Sequence, residues 1–455
     1  MYDDYHEYYE GEDKKADDDK DNVDAVKDKD DNDKDGDLNF DKEAVEVVAN
    51  ANTNFGNALF KVLAKAKPKE NLIMSSFSVS TVLNMLLNGA KGRTASQLKK
   101  GLTLIKERKR WVGNSDVVKN GFEDIVKNGF KDALTLLKTN ESFTLNAANR
   151  IYHHVLYSFD KSYIQSTQEF FLAEPIGMDF KNQTEQSRTA INQWVEGKTN
   201  RKIQDLIAKG DIDEDTKLVL VNAIYFKGDW QFKFDKSKTQ KGDFHVTPNQ
   251  KVQTDMMKSS GRYRVLWGIK DLKGADALDL QYKGKRLSMI ILLPAKQGPT
   301  CHGIFCRPNA SEEDLEDLEE AMSKVADLNS ILVFERESNV DVTLPRFKLE
   351  SELDLKEPLK QLGMTDMFKK IKADFSGMTG GTKNPLFVSK IKQKAFIEVN
   401  EEGAEAAAAT FVAVSLFKSV SGIPEFRCNR PFMFLIRDNL TGMILFSGHV
   451  TDPSK

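Results

Sequence analysis

The tract Glu401, Glu402, Gly403, Ala404, Glu405, Ala406, Ala407, Ala408, Ala409 and Thr410 constrains this chain more than any other. It follows a segment of alternating apolar residues and precedes an apolar run that starts at Phe411. The four alanines from Ala406 onward carry no bulk that would bar them from the space between two neighbouring strands. Gly403 adds a hinge, because a residue without Cβ reaches backbone conformations closed to the others. Such a tract suits a segment that is loop in one state and strand in another. On its residues alone, a plain alanine helix is equally open.

The rest of the chain can supply a large body for that segment to enter. It has 455 residues, 40% of them hydrophobic, enough for one large α+β core. The formal charge of −3 hides a lopsided distribution. Residues 1–38 hold 17 acidic and 6 basic side chains, a net of −11, which leaves +8 on the remainder. So charged and so poor in apolar residues, residues 1–40 are expected to be a disordered acidic tail, with one folded domain over 41–455. No stretch is apolar for long enough to span a membrane. The chain opens on acidic residues rather than a leader, and we read it as the mature form of a secreted, extracellular protein. In that setting the sequons at Asn140, Asn182, Asn309 and Asn439 would accept glycans. Three cysteines are too few for a disulfide scaffold; Cys301 and Cys306 could close a small loop, leaving Cys428 unpaired.

A pass along the chain predicts helices first and strands later. One helix should start near Asp41 and end before Pro68, another should follow the serines Ser75, Ser76, Ser78 and Ser80, and a short one should cover 94–102. Residues 191–207 show helical spacing through Ile191, Trp194, Val195, Ile203 and Leu206. The run 218–226 is apolar and β-branched, as in a strand covered on both faces, and 287–294 is similar. Residues 340–347 alternate strictly, and 387–399 is a long strand candidate. The strands 432–436 and 443–450 flank the turn signal Asp438-Asn-Leu-Thr-Gly442. The string Val-Lys-Asn-Gly-Phe occurs at Val118 and again at Val126, too local to define a repeat. Helices followed by strands argue for α+β rather than alternating βαβ.

Nothing in the residues points to catalysis. The six histidines (His6, His153, His154, His245, His302 and His449) have no metalloprotease or zinc-finger spacing, and the His153-His154 pair reads as structural. Gly380-Gly-Thr-Lys383 lacks the order of a phosphate loop, and no Gly-x-Ser-x-Gly elbow is present. Asp31, Asp33 and Asp35 mimic the start of a calcium loop, but Lys42 stands where the bidentate glutamate is required. No metal is expected.

The motifs resemble those of serpins, in order and over most of the chain. They are Asn71-Leu-Ile-Met-Ser75-Ser-Phe-Ser78-Val-Ser80, Asn222-Ala-Ile-Tyr-Phe-Lys-Gly-Asp-Trp230, Leu344-Pro-Arg-Phe347, Leu362-Gly-Met364, Asp374-Phe-Ser-Gly377, Asn429-Arg-Pro-Phe432 and Leu445-Phe-Ser-Gly448, besides the hinge. The resemblance implies helices packed on a large central sheet with two further sheets, and an exposed reactive-centre loop over about 401–424. It implies a metastable suicide inhibitor of serine proteases, not an enzyme, acting as a monomer in a clotting-like or immune cascade. A non-inhibitory carrier or storage protein is the alternative. The family distance from the hinge glycine puts the scissile bond between Phe417 and Lys418, for a chymotrypsin-like protease. Lys418–Ser419 would suit a trypsin-like one. Ser75, Ser78, Asn222 and Gln393 would form the latch where the sheet parts, with Trp230 at its upper opening. Two positions depart from the pattern: Ser76 replaces a proline, and Gln393 replaces a histidine.

Two charged regions complete the reading. Tyr2, Tyr5, Tyr8 and Tyr9 among acidic residues resemble the sulfated tail of the thrombin-inhibiting heparin cofactor, which would make the tail a tethered ligand for a basic exosite. Lys99, Lys100, Lys106, Arg108, Lys109 and Arg110 form a basic cluster that would accept a sulfated glycan. No cofactor is required by this reading, with a heparin-like glycosaminoglycan as the one candidate activator. Neither nucleic acid nor membrane is expected as a partner.

Overall fold

A computed structural model describes residues 39–112, 121–138, 143–295, 298–302, 305–310, 314–381, 386–404 and 423–455. Asp41–Lys455 forms one unit, of which Met1–Phe40 is not part. The Asp41 carboxylate accepts from the Ala44 amide at 3.0 Å and so caps helix α1 (Lys42–Ala66). Pro68, just past the Lys67 cap, cannot continue it. Strand β1 (Leu72–Met74) leads to α2 (Ser76–Gly89), capped by Ser75, and then come α3 (Gly92–Gly101), α4 (Leu104–Val112) and α5 (Phe122–Lys138). Next are β2 (Phe143–His154), α6 (Lys161–Phe171), β3 (Ile176–Met178), α7 (Thr184–Lys198) and β4 (Leu218–Asp229). Strands β5 (Gln240–Thr247), β6 (Gln250–Ile269), β7 (Ala275–Gln281) and β8 (Leu287–Leu293) form a meander, followed by the hairpin β9 (Gly298–His302) and β10 (Phe305–Ala310). Helices α8 (Leu315–Lys324) and α9 (Leu328–Ile331) precede β11 (Glu337–Pro345), β12 (Phe347–Asp354), α10 (Lys356–Gln361) and β13 (Val388–Val399). The chain ends with β14 (Gly403–Ala404), β15 (Glu425–Arg427), β16 (Phe432–Asp438) and β17 (Ile444–Val450).

Among the described residues these strands make two large sheets and the small β9–β10 hairpin. One sheet runs β12-β13-β4-β2-β3, with β14 also paired to β4. The other runs β1-β17-β16-β8-β7-β6-β11-β15, with β5 on β6. The two further sheets implied by the sequence are thus joined. Strand β6 is twenty residues long and pairs with β5 over Gln250–Met256, with β11 over Met256–Arg264 and with β7 from Arg264 to Ile269. The main core lies where α1 and α2 meet the inner faces of both sheets, around Phe55, Phe77, Phe434 and Phe446. A second core covers the outer face of β4 and is formed by Ile191, Val195, Ile203, Leu206 and Ile207 against Val219, Val221 and Tyr225.

Two expectations are corrected. The helical spacing over 191–207 does not continue as a helix: α7 ends at Lys198, and Asn200, Arg201 and Asp205 have φ of 50°, 59° and 49°. Ile203, Leu206 and Ile207 are apolar because a non-helical strap buries them on β4, which gives the same spacing. The alternating run 340–347 is not one strand either. It breaks at Arg346, so that Leu344 belongs to one sheet and Phe347 to the other. Alternation persists through the corner because both segments have one covered face. Helix α5 was hidden in the Val-Lys-Asn-Gly-Phe echo, whose second copy it contains.

Helix α5 also fixes how closely α1 can approach. A Cβ added at Gly129 would sit 2.3 Å from the Ala44 carbonyl oxygen and 2.7 Å from Val48 Cγ2. Backbone cannot yield as a side chain does, so Gly129→Ala should push the helices apart and cost about 1–3 kcal/mol. Thermal unfolding would read this as a lowered midpoint; an unchanged midpoint would show that the two helices have slack.

Candidate functional site

The site is a seam between two parallel strands. Strand β13 pairs directly with β4, from Val388 opposite Leu218 to Phe396 opposite Tyr225, and Gln393 faces Asn222. All four residues singled out for the latch converge there, and all are buried. The Gln393 amide donates to Asn222 Oδ1 and, at 2.9 Å, to the Ser75 carbonyl, while its oxygen accepts from the Ser75 amide at 3.1 Å. Asn222 Nδ2 donates to Ser78 Oγ and to Asn149 Oδ1 at 2.7 Å, and Ser78 Oγ donates to Asn149 Oδ1 at 2.6 Å. The Ser75 hydroxyl reaches the Leu445 carbonyl at 2.6 Å, tying the seam to β17. Every member is neutral, and glutamine serves because it donates and accepts at once.

The upper end of the seam holds the start of the hinge. Gly403 and Ala404 pair antiparallel with Asp229 and Gly228 of β4, above the last β13–β4 pair and on the same edge. Gly403 is required here on two counts. Its φ is +138°, and a Cβ would lie 2.2 Å from the Gly228 carbonyl oxygen. The turn is held by backbone bonds from Trp230 N to Glu402 O and from Phe234 N to Glu401 O, each 2.9 Å. The buried Trp230 indole donates to the Asn400 carbonyl at 2.9 Å and stacks on Tyr282 at 4.5 Å.

Glu401 and Glu402 are buried carboxylates held by cations from elsewhere in the fold. Burial works against the charge on Glu401. The Thr239 hydroxyl at 2.7 Å and the Arg346 guanidinium at 2.6 Å outweigh it and hold its pKa below the usual value. Glu402 is lowered by Lys233 at 2.7 Å and Lys236 at 2.9 Å, and Lys233 is raised in return.

A strap crosses the outer face of the seam. Asp211 binds Lys390 at 2.9 Å and Lys392 at 2.6 Å, and Lys394 donates to the Gln204 carbonyl at 3.0 Å. The same three lysines pair with Asp354, Glu352 and Glu350 across β12. Burial opposes the charge on Asp211, but the two lysines prevail and its pKa is lowered.

Other singled-out residues are not drawn into the seam. Glu405, Ala406, Ala407, Ala408, Ala409, Thr410, Phe417, Lys418 and Ser419 lie outside the described residues. The basic cluster is not one free face, since Lys99 pairs with Glu123, Lys106 donates to Asn54, and Arg110 pairs with Asp327. Asn140 is outside the described residues, Asn182 donates to Asp179, and the Asn439 amide is taken up by the Lys285 carbonyl and Ser288 Oγ. His153 stacks on Phe159 at 3.9 Å, and burial lowers its pKa.

The model of the serpin (serine protease inhibitor) family matches residues 50–453. The chain belongs to the serpin family. It is 36% identical to human leukocyte elastase inhibitor, over 90% of this chain and all of that one, and 38% identical to human serpin B3, over 89% and 99%. Among solved structures, Serpin48 of Tenebrio molitor is 32% identical, with a TM-score of 0.71 over 89% of this serpin and 98% of that chain. Human thyroxine-binding globulin, solved with its hormone, is 26% identical with a TM-score of 0.75 over 90% and 100%. Serpins are inhibitors rather than enzymes. The relatives overturn one expectation: leukocyte elastase inhibitor and serpin B3 are intracellular serpins, which conflicts with a secreted, extracellular protein. Tyrosine sulfation and glycosylation rested on that expectation.

Sequence reasoning missed Asn149, Arg346, Thr239, Lys233, Lys236 and Asp211. Arg346 alone carried a signal, inside Leu344-Pro-Arg-Phe347.

Two outcomes follow from this chemistry. Glu402 has a lowered pKa, so its contribution is complete above the unfolded carboxylate value of about 4.3 and is lost as pH falls through the lower native value. The stability gap between this serpin and Glu402→Gln should therefore be constant from about pH 8 to 5 and close only in stronger acid. Thermal unfolding across that range checks it; a gap that closes near neutrality would rule the clamp out. In contrast, Gln393→His should make the seam pH-sensitive. A buried imidazole favours its neutral form, and once protonated it could no longer accept from the Ser75 amide. The variant should lose more stability than the parent as pH falls below about 6.5, where burial of His153 already gives the parent a slope of its own. Parallel curves for the two proteins would contradict this.

Proposed function

We propose that this serpin traps proteases by inserting its cleaved reactive-centre loop into the seam between β13 and β4. The observation that supports the reading is the seam itself: β13 is bonded directly to β4, and the hinge is already seated at its upper end. After cleavage the residues beyond Ala404 would continue downward as a new antiparallel strand. With period two, Ala404, Ala406, Ala408, Thr410, Val412 and Val414 would face inward, and none carries a charge that would oppose burial. An acylated protease would be carried along before water releases it.

The target is a serine protease, with Phe417 or Lys418 entering its specificity pocket. Phe417 suits an apolar chymotrypsin-like slot; Lys418 suits one that holds a carboxylate. The likeness to leukocyte elastase inhibitor favours a protease of the elastase and chymotrypsin type. A carrier role is the competing reading, because thyroxine-binding globulin has the same fold. The uncharged inward positions of the hinge favour trapping over carriage.

Incubation with chymotrypsin should give a complex that survives heating in SDS, and mass spectrometry of the released fragment should place the cut after Phe417. Ala404→Arg should leave the fold intact but put a charge on the entering strand, so that the protein is cleaved without forming the complex. Cleaved parent protein should also melt at a higher temperature than the intact form. Clean cleavage of the parent by both chymotrypsin-like and trypsin-like proteases, with no gain in melting temperature, would overturn the reading.

A further inference from the structure

Topology places two of the three cysteines opposite each other. In the β9–β10 hairpin His302 faces Phe305, and Cys301 faces Cys306. Two residues, Gly303 and Ile304, separate the strands in sequence. Facing residues of an antiparallel pair stand about 4.5–5.5 Å apart at Cα, inside the roughly 4.4–6.8 Å a disulfide accepts. Alternation assigns His302 to the other face of the hairpin, so the two cysteines form a pair rather than part of a metal-ligand triad.

The third cysteine has a different environment. Cys428 is free and fully buried, and burial pushes its thiol well above the ordinary value. A thiol in that condition is a poor nucleophile. The relatives are intracellular serpins, and in reducing compartments cysteines rest as thiols. A facing pair there is open at rest and closes when the local thiol pool is oxidised.

We propose that Cys301 and Cys306 are a reversible dithiol–disulfide site that exchanges with low-molecular-weight disulfides such as oxidised glutathione. One cysteine thiolate attacks the glutathione disulfide, forms a mixed disulfide and releases one glutathione thiol. The facing cysteine then attacks the protein sulfur of that bond and displaces the second glutathione. Two protein thiols are oxidised, one glutathione disulfide is reduced to two thiols, and no other reagent is needed. The same two exchanges run backwards in excess reduced glutathione, which makes the step reversible. The site is independent of protease trapping.

The full-length protein, reduced and freed of reductant, should be equilibrated with buffers of increasing oxidised-to-reduced glutathione ratio and then alkylated. Cleavage at lysine leaves both cysteines on one peptide, residues 297–324, apart from Cys428. In the oxidising buffers that peptide should lose two hydrogens and resist alkylation, while Cys428 is alkylated only after denaturation. Cys306→Ser should instead accumulate a glutathione adduct on Cys301, which the parent does not. The proposal fails if the parent keeps two free thiols or two separate glutathione adducts on that peptide. It also fails if the disulfide joins Cys428 or a second chain.

Discussion

The hydrogen bonds across one pair of parallel strands govern this molecule. Where Gln393 meets Asn222, β13 and β4 hold together in the intact protein, and on the proposed mechanism they must be able to part. Parallel pairing is slightly weaker per residue than antiparallel pairing, and β4 is held antiparallel by β2 on its other edge over eleven residue pairs. Strand β13 is likewise held antiparallel by β12 through eight pairs and a ladder of ion pairs. The seam is therefore the weaker join between two better-bonded halves of the sheet. On the proposed mechanism a sheet built this way would open at that join.

Charge and neutrality are distributed accordingly. Inside the seam the contacts are between amides and hydroxyls, which can be exchanged for those of an entering strand without stranding a buried ion. Charges sit around it instead. The hinge carboxylates are clamped above, and Asp211 ties the strap to β13 in front. The ladder binds β13 to β12 rather than to β4, so it can travel with β13 when the strands separate. The clamp at Glu401 and Glu402 has a different effect. It fixes the turn that pairs Gly403 and Ala404 with β4, so the direction of the proposed entry would be set before any bond is cut.

Much of this could be read in the chain, for reasons that differ by element. Strands β4 and β8 were legible because burial on both faces demands continuous apolar runs, whereas β13, interrupted by Lys390, Lys392 and Lys394, could be read only as a long strand candidate. The β16–β17 hairpin was legible from Asp438 to Gly442, where the turn chemistry is local. The residues of the latch came from matching motifs, and their meeting in space followed from the register of two strands 171 positions apart at Gln393 and Asn222. The clamp was not legible. Lys233, Thr239 and Arg346 are polar residues in surface segments, and only the tertiary fold brings them to Glu401 and Glu402. Asp211 is hidden for the same reason, and Asn149 sits in a strand whose mixed burial gives no clear alternation. The apparent helix over 191–207 failed because spacing reports which residues are covered, not what backbone covers them.

The presence of a glutamine rather than a histidine at the seam has a consequence beyond fit. A histidine at the centre of a buried network carries a titration near neutral pH into the contact that decides whether the sheet opens. Gln393 makes the same kind of bonds to Ser75 and Asn222 with a group that does not ionise. Its nearest ionisable neighbours along the strand are Lys392 and Lys394, which point to the opposite face and are paired to carboxylates there. The cohesion of the seam is thus insulated from pH, and on the proposed mechanism its opening would depend on its upper end, where the hinge is paired to β4. Mechanical control would then pass from the latch to the loop.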